Sequence, residues 1–503
     1  MPMKFPLTLL LLLLFAGELQ AQVKQKSMTP APRDVEQGKK SKVKERTPPP
    51  EAEAIIADAR IAPPEFAADA LIRVAQSSKV ADAELKRELL EEAFRLAAGA
   101  QQPFKLYTVV GNVDTRAGYL SYALQQGFDT LSLRCRVVRA MLQLDKRRAR
   151  ELLGEISPDL ALETLGCEDA LVYDVSELYE TAGEVARVAF TIEERRGREH
   201  IRLVEPFLVG VRSATQVGPA AKLIVSLKAA PSDLMLIVQE FAGALKSVPA
   251  DTRSFAASFF RDDLIRQMND LAKECDTKGV GKDALLEAYR AFLVEHFGGV
   301  QCADNRQGLR KTTNPKFLPG INAPFTKNPI SAEEVQPRRV EGAAHTYEYW
   351  KTGASRKFLL EIKRLRFGDK QEQLTAEEKE TTEWRGELAD FLRELSDWDG
   401  SSEESRTDYI NQKSVLFMGL LELDLPREMR DTVLDNFVAF LREPDLQRES
   451  RIEWFWHVRW LLNWSRSDGK DARKNLLGAF GNSDVVVLRL YAALDGFDLV
   501  KEK

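Results

Sequence analysis

The chain has 503 residues, 44% of them hydrophobic and 30% charged, with a formal net charge of −5. That length supports two or three domains with proper cores. The negative balance excludes a general phosphate-backbone binder, so no nucleic acid partner is expected.

Residues 1–21 read as a secretory signal. Lys4 supplies the positive start, Leu7 to Ala16 is a short apolar run, and Leu19-Gln20-Ala21 offers a cleavage site. An uncleaved amino-terminal anchor is the alternative, but the run is too short to span a bilayer. No later stretch approaches eighteen consecutive apolar residues. The mature chain is therefore expected to have no membrane span and to be exported, to a periplasm or the extracellular space. Residues 22–50 hold eight Lys/Arg, three Asp/Glu and five Pro, with few bulky apolar residues. Such a tail cannot offset its ordering entropy and is read as disordered. A basic arm for anionic surfaces is the functional reading, a solvated linker the plainer one.

Helical periodicity begins at Glu51. Ala81 to Ala98 is the clearest case, with Leu85, Leu89, Ala93 and Leu96 on one stripe and Gly99 just past its end. Further helices are predicted over 116–126, 131–144, 145–156, 168–194, 199–215, 218–230, 232–246, 251–275 and 283–297. The joints carry Pro or a capping side chain, as at Ser157-Pro158 and Pro231-Ser232-Asp233.

Residues 302–337 break the pattern. Pro315, Pro319, Pro324, Pro329 and Pro337 each remove a backbone donor and disfavour helix before them. Phe317, Leu318, Ile321 and Phe325 favour a segment packed over the helices rather than a mobile linker. Helices resume over 340–352, 355–367, 375–398, 403–423, 426–442, 451–465, 468–480 and 483–494. Tyr107 to Val110 and Val485 to Leu488 are the two strand candidates. The reading is an all-α protein: an irregular α-solenoid of stacked helical hairpins, with arrays at 51–301 and 338–503 joined by the Pro-rich, non-helical connector 302–337. No fixed repeat period accompanies it, so a helical bundle stays open. Stretches such as Pro64-Glu-Phe-Ala-Ala-Asp-Ala-Leu and Ala149-Arg-Glu-Leu-Leu-Gly-Glu-Ile resemble the hairpin units of uncharacterised bacterial secreted proteins. That resemblance implies no activity.

Export exposes four cysteines to an oxidising compartment. Cys135 and Cys167 are a possible disulfide, because the helix after Asp145 returns the chain toward Cys135. Cys275 and Cys302 flank a helix about 22 Å long at 1.5 Å per residue and are harder to join. Free, buried thiols are the alternative.

No nucleophile elbow, phosphate-binding Gly-rich loop or His-Glu-x-x-His helix occurs. His200, His296, His345 and His457 are scattered, so no metal, cofactor or catalytic residue is assigned. Ser401 to Glu404 fits a capping box better than a calcium loop. Glu404-Ser405 followed by Phe417-Met418-Gly419-Leu420-Leu421-Glu422 resembles lytic transglycosylases over about twenty residues. That resemblance implies Glu404 as the acid of a cell-wall glycan-cleaving enzyme, although Arg406 to Ile410 departs from the family.

Four of the seven tryptophans, Trp454, Trp456, Trp460 and Trp464, fall in one helix. With Trp350, near Tyr347 and Tyr349, they are a possible aromatic groove; a helix buried on two faces is the plainer and favoured reading. The functional expectation is a secreted or periplasmic helical-repeat protein that mediates protein or peptide interactions, the glycan-active enzyme being the alternative.

Overall fold

A computed structural model describes residues 48–498 apart from 101–104, 109–115, 159, 161, 170, 252, 255–257, 303–317, 343–351, 368–373, 380, 403, 424, 444–445 and 447–449. The signal segment 1–21 and residues 22–47 of the basic tail lie outside the described residues.

The protein is all-α, with 22 helices among the described residues. The first three are α1 (Pro50–Ile61), α2 (Pro64–Gln76) and α3 (Ala83–Ala97). Prolines open α1 and α2, where a missing N–H costs nothing. Asp82 caps α3 by accepting from the Glu84 and Leu85 amides. Gly99 does not adopt the positive φ expected of it. A Cβ there would lie 3.2 Å from the Pro64 ring, so close packing is what favours glycine.

Strand β1 (Lys105–Thr108) precedes α4 (Arg116–Leu124), α5 (Thr130–Leu142) and α6 (Lys146–Gly154). The single helix expected over 168–194 is instead β2 (Leu171–Asp174), α7 (Ser176–Val188) and α8 (Ile192–Arg196). β2 pairs antiparallel with β1, Lys105 opposite Asp174, which draws Leu171 to Asp174 out of helical pairing. Thr191 opens α8 in a capping box with Glu194, another break that the long periodic stretch concealed.

α9 (Glu199–Val209), α10 (Ala214–Ser226), α11 (Pro231–Leu245), α12 (Ser258–Thr277) and α13 (Asp283–Gly298) complete the first half. Strand β3 (Val300–Cys302), helix α14 (Leu318–Asn322) and strand β4 (Arg339–Glu341) follow, with β3 and β4 parallel. The helix expected from Val340 begins as this strand, and the rest of it to 351 lies outside the described residues. The second half is α15 (Gly353–Phe367), α16 (Ala376–Lys379), α17 (Thr382–Asp397), α18 (Arg406–Leu421), α19 (Arg427–Leu441), α20 (Arg451–Asp468), α21 (Lys470–Gly481) and α22 (Val486–Asp498). Val486 to Leu488 is helical, while Tyr107 and Thr108 are strand.

Consecutive helices pack on one another, as α2 on α3 and α5 on α6, and α10 packs on the more distant α7 and α12. The first and last helices also meet, for α1 and α2 pack on α22 and α4 packs on α20. The described residues belong to one compact unit, and helices of both halves share one core.

α2 is the hub of this closure. Ten of its residues are buried, including Glu65 and Asp69, one turn apart. Asp69 Oδ1 accepts from Arg136 Nη2 of α5 at 2.6 Å, and Oδ2 accepts from the Tyr491 hydroxyl of α22 at 2.6 Å. Glu65 Oε1 lies 3.0 Å from Arg451 Nε of α20, without hydrogen-bond alignment. Around these polar contacts, Phe66 packs 4.8 Å from Phe455, and Phe455 packs 4.3 Å from Tyr491, between ring centres. Burial opposes the charge on Asp69, but Arg136, Arg73 and Tyr491 together outweigh it, so its carboxyl titrates below the ordinary range.

Asp69→Asn is expected to destabilise the protein by about 3 kcal/mol, the low end for breaking a buried pair, because Arg136 keeps partial solvent access. Tyr491→Phe is expected to cost about 2 kcal/mol, the range for a buried hydrogen bond to a charged group. Urea unfolding of the two variants measures both.

Candidate functional site

The connector, where described, packs as a strap over α12 and α13. Ile321, Phe325, Ile330 and Val335 are buried, and Leu318 packs against the same core. Phe317 lies outside the described residues. Asn322 closes a loop on Ile330: its Oδ1 accepts from the Ile330 amide at 2.7 Å, and its Nδ2 donates to the Ile330 carbonyl at 2.9 Å. The connector is not wholly non-helical, as its prolines predict: α14 forms within it because Leu318 and Ile321 pack inward. Beyond α14 the Asn322 bonds give Ile330 the backbone partners that no regular element supplies.

Arg290 of α13 anchors the strap. Its Nη2 donates to both Glu334 carboxylate oxygens at 2.8 Å, and its Nε donates to the Asn328 carbonyl at 3.2 Å. Glu334 is preset for this by Ser331, whose amide donates to its Oε2 at 2.9 Å. The Ser331 amide and the Arg290 guanidinium hold the Glu334 carboxyl below its ordinary range. Phe325 sits 5.5 Å from Tyr289 between ring centres, and Asn269 donates to the Gly320 carbonyl at 3.3 Å.

Between strap and helices lies a groove of about 650 Å³. Ala272, Leu286, Ala291, Pro324 and Phe325 give it an apolar lining. Its lining also carries charges of both signs, Lys273, Lys282 and Lys327 with Asp276, Asp283 and Glu287. This is an amphipathic trough of the size that takes a few side chains. It offers shape and charge pattern but no nucleophile paired with a base. Ser331-x-x-Glu334 was the sequence signal for the anchor; Arg290 had none, since only the fold brings it to the strap.

The disulfide expectation is corrected. Cys167 pairs with Cys302, with Cα atoms 5.4 Å apart, and not with Cys135. Cys135 and Cys275 are free and buried, and burial pushes both thiols up. Cys135 faces into the core from α5, beside Thr181. Cys167 lies in the segment leading to β2 and meets the end of β3. Arg253, fully buried, donates to the Cys167 carbonyl at 2.6 Å and holds that segment in place. The base of the connector is thus pinned, but to a partner 135 residues away.

The aromatic residues separate. Trp454 is in the core, donating from Nε1 to the Leu441 carbonyl at 3.0 Å, so it lines no groove. Trp456, Trp460 and Trp464 are half-buried along one side of α20. Trp456 packs between Tyr119 and Tyr122, and Trp460 stacks on Trp464 with ring centres 6.5 Å apart. Trp350, with Tyr347 and Tyr349, lies outside the described residues.

Glu404 is engaged locally. Its Oε1 accepts from the Thr352 hydroxyl at 2.6 Å and its Oε2 from the Ser401 amide at 3.2 Å. The cap of α18 is Ser405, accepting from the Asp408 amide, rather than Ser401. Among the described residues no group of three or more His, Cys, Asp or Glu comes together to hold a metal ion. His345 lies outside the described residues. His200 packs near Phe190, and His296 is buried with Nδ1 2.8 Å from the Phe292 carbonyl. His457 is fully buried, with Nε2 2.8 Å from Asn411 Oδ1.

No family model, curated protein or solved structure matches the chain.

Peptide mapping without reduction is expected to recover the Cys167 and Cys302 peptides joined, and Cys135 and Cys275 alkylated once the chain is unfolded. By the chain-entropy account, Cys302→Ser is expected to cost up to about 5 kcal/mol, because the closed loop is long. Burial lowers the pKa of His457 to about 3, so the fold holds it neutral while the unfolded chain protonates below about 6.5. Its contribution is full above that value and falls as pH drops toward 3. Between pH 7 and pH 5 the urea stability gap between wild type and His457→Gln is expected to shrink by about 2 kcal/mol.

Proposed function

We propose that the chain is an exported helical binding protein that engages a peptide or protein partner through the groove between the strap and α12–α13. The observation that carries the reading is the groove itself: an apolar trough of about 650 Å³ with charges of both signs in its lining. Its strap wall is held by the contact of Arg290 Nη2 with both Glu334 oxygens and by the Asn322 clamp. A wall held at several points needs little ordering on binding, which favours affinity. Apolar anchors fit the floor, and the lining charges set register and discriminate between partners.

Export rests on the signal-like segment 1–21 and is supported by the Cys167–Cys302 pairing, since stable disulfides belong mainly to oxidising compartments. No second reading is advanced, because the Glu404 oxygens are taken by Thr352 and Ser401.

Selection of a random peptide library on the immobilised chain, from Gln22 onward, tests the proposal. The expected result is enrichment of peptides carrying apolar residues flanked by charge, with micromolar affinity. Ala291 is exposed on the groove lining, so Ala291→Trp fills the trough without entering the core. It is expected to weaken these peptides roughly ten-fold or more while leaving the helical circular dichroism unchanged. Failure to enrich any peptide, or binding indifferent to Ala291→Trp, overturns the reading.

A further inference from the structure

A second cavity, of about 450 Å³, lies where the two ends of the helical body meet. α2, α5, α20 and α22 all line it, together with the turn after α4 and one residue of α7. Its lining carries four guanidinium groups, from Arg73, Arg136, Arg459 and Arg466, against three carboxylates, from Asp69, Glu177 and Asp495. The lining thus carries an excess of one positive charge, within a chain of net charge −5.

The carboxylates are already engaged. Asp69 uses one oxygen on Arg136 and the other on Tyr491. Glu177 accepts from Arg139 at 3.1 Å, and Arg139 stands behind the lining. Asp495 is held by Arg466 and also by Arg473, again from outside the cavity. Arg473 offsets Asp495 from behind the lining, whereas Arg139 is shared among Glu177, Glu180 and Glu184 and adds no surplus charge. Arg459 is exposed at this site and has no hydrogen bond or ion pair among the described residues. Arg73 lies with its guanidinium carbon 5.7 Å from the Tyr491 ring centre. Phe128, Phe455 and Tyr491 supply apolar wall beside these cations.

Guanidiniums on a partly enclosed, aromatic-walled site suit an oxyanion, because each presents a planar fork of donors matching carboxylate or phosphate. The low local dielectric beside buried rings strengthens that attraction relative to water. We infer that this cleft is a binding site for a small oxyanion, a carboxylate or a phosphate, with Arg459 and Arg73 as the groups that meet it. The site is independent of the strap groove, which lies on other helices. Since its lining comes from both ends of the chain, occupancy also stabilises the closed body.

Isothermal titration calorimetry of the full chain with inorganic phosphate and, separately, with citrate tests this at matched ionic strength, with sodium chloride as the reference. The expected result is saturable one-to-one binding of at least one of the two, with a rise in melting temperature that chloride does not reproduce. Phosphate alone identifies a phosphate site, citrate alone a carboxylate site, and both a general oxyanion site. Arg459→Gln, an exposed change that preserves the fold, is expected to weaken binding about ten-fold or more, the loss of one charged hydrogen bond, and Arg73→Gln similarly. No saturable binding of either anion up to 10 mM (roughly the weakest range of specific small-ligand sites), or binding unchanged in both variants, overturns the inference.

Discussion

The structure depends on one buried carboxylate. Asp69 sits on a helix that is apolar almost all round, in a place where an uncompensated charge costs several kcal/mol. It is tolerated because Arg136 and Tyr491 each satisfy one of its oxygens. Those partners belong to α5 and to α22, which lie far apart in sequence. The requirement that Asp69 be satisfied is therefore also a requirement that the last helix return to the second. The aromatic group of Phe66, Phe128, Phe455 and Tyr491 fills the space around that bond and adds most of the apolar burial at the junction.

This closure decides what the rest of the chain can do. A run of helical hairpins joined only to their neighbours has free ends and an open surface. Here the ends are joined, and each half meets the other both at the strap and at the α2–α22 junction. The strap is consequently a connection between parts whose placement is already constrained. It is held by Arg290 and Asn322, and a groove with fixed walls follows from that. The same closure builds the arginine-lined cleft, since no single half of the chain supplies its lining.

Much of the local structure was legible from residue order. The period of Leu85, Leu89, Ala93 and Leu96 identified α3, and the Pro231-Ser232-Asp233 joint placed the start of α11. The apolar residues Ile321 and Phe325 identified the strap as packed. What was not legible depended on pairing at a distance. Leu171 to Asp174 reads as helix by local pattern and is strand because Lys105 to Thr108 lies beside it. Cys167 looked like a partner for Cys135 by proximity in sequence, whereas the fold carries it to Cys302. Trp454 and Trp456 are two residues apart and have opposite fates, one in the core and one half-exposed, because α20 is packed on more than one side. The four guanidiniums of the cleft come from three helices, and no spacing in the sequence groups them.

The central claim is that α2 and α22 open and close together as parts of one cooperative body. Native-state hydrogen exchange read by mass spectrometry tests this directly, since amides released in a single opening share one free energy. The account predicts that the slowest amides of 64–76 and 486–498 exchange with the same free energy, equal to that of global unfolding. Exchange of 486–498 at a markedly lower free energy, as for a fraying terminal helix, while 64–76 stays protected, would contradict it.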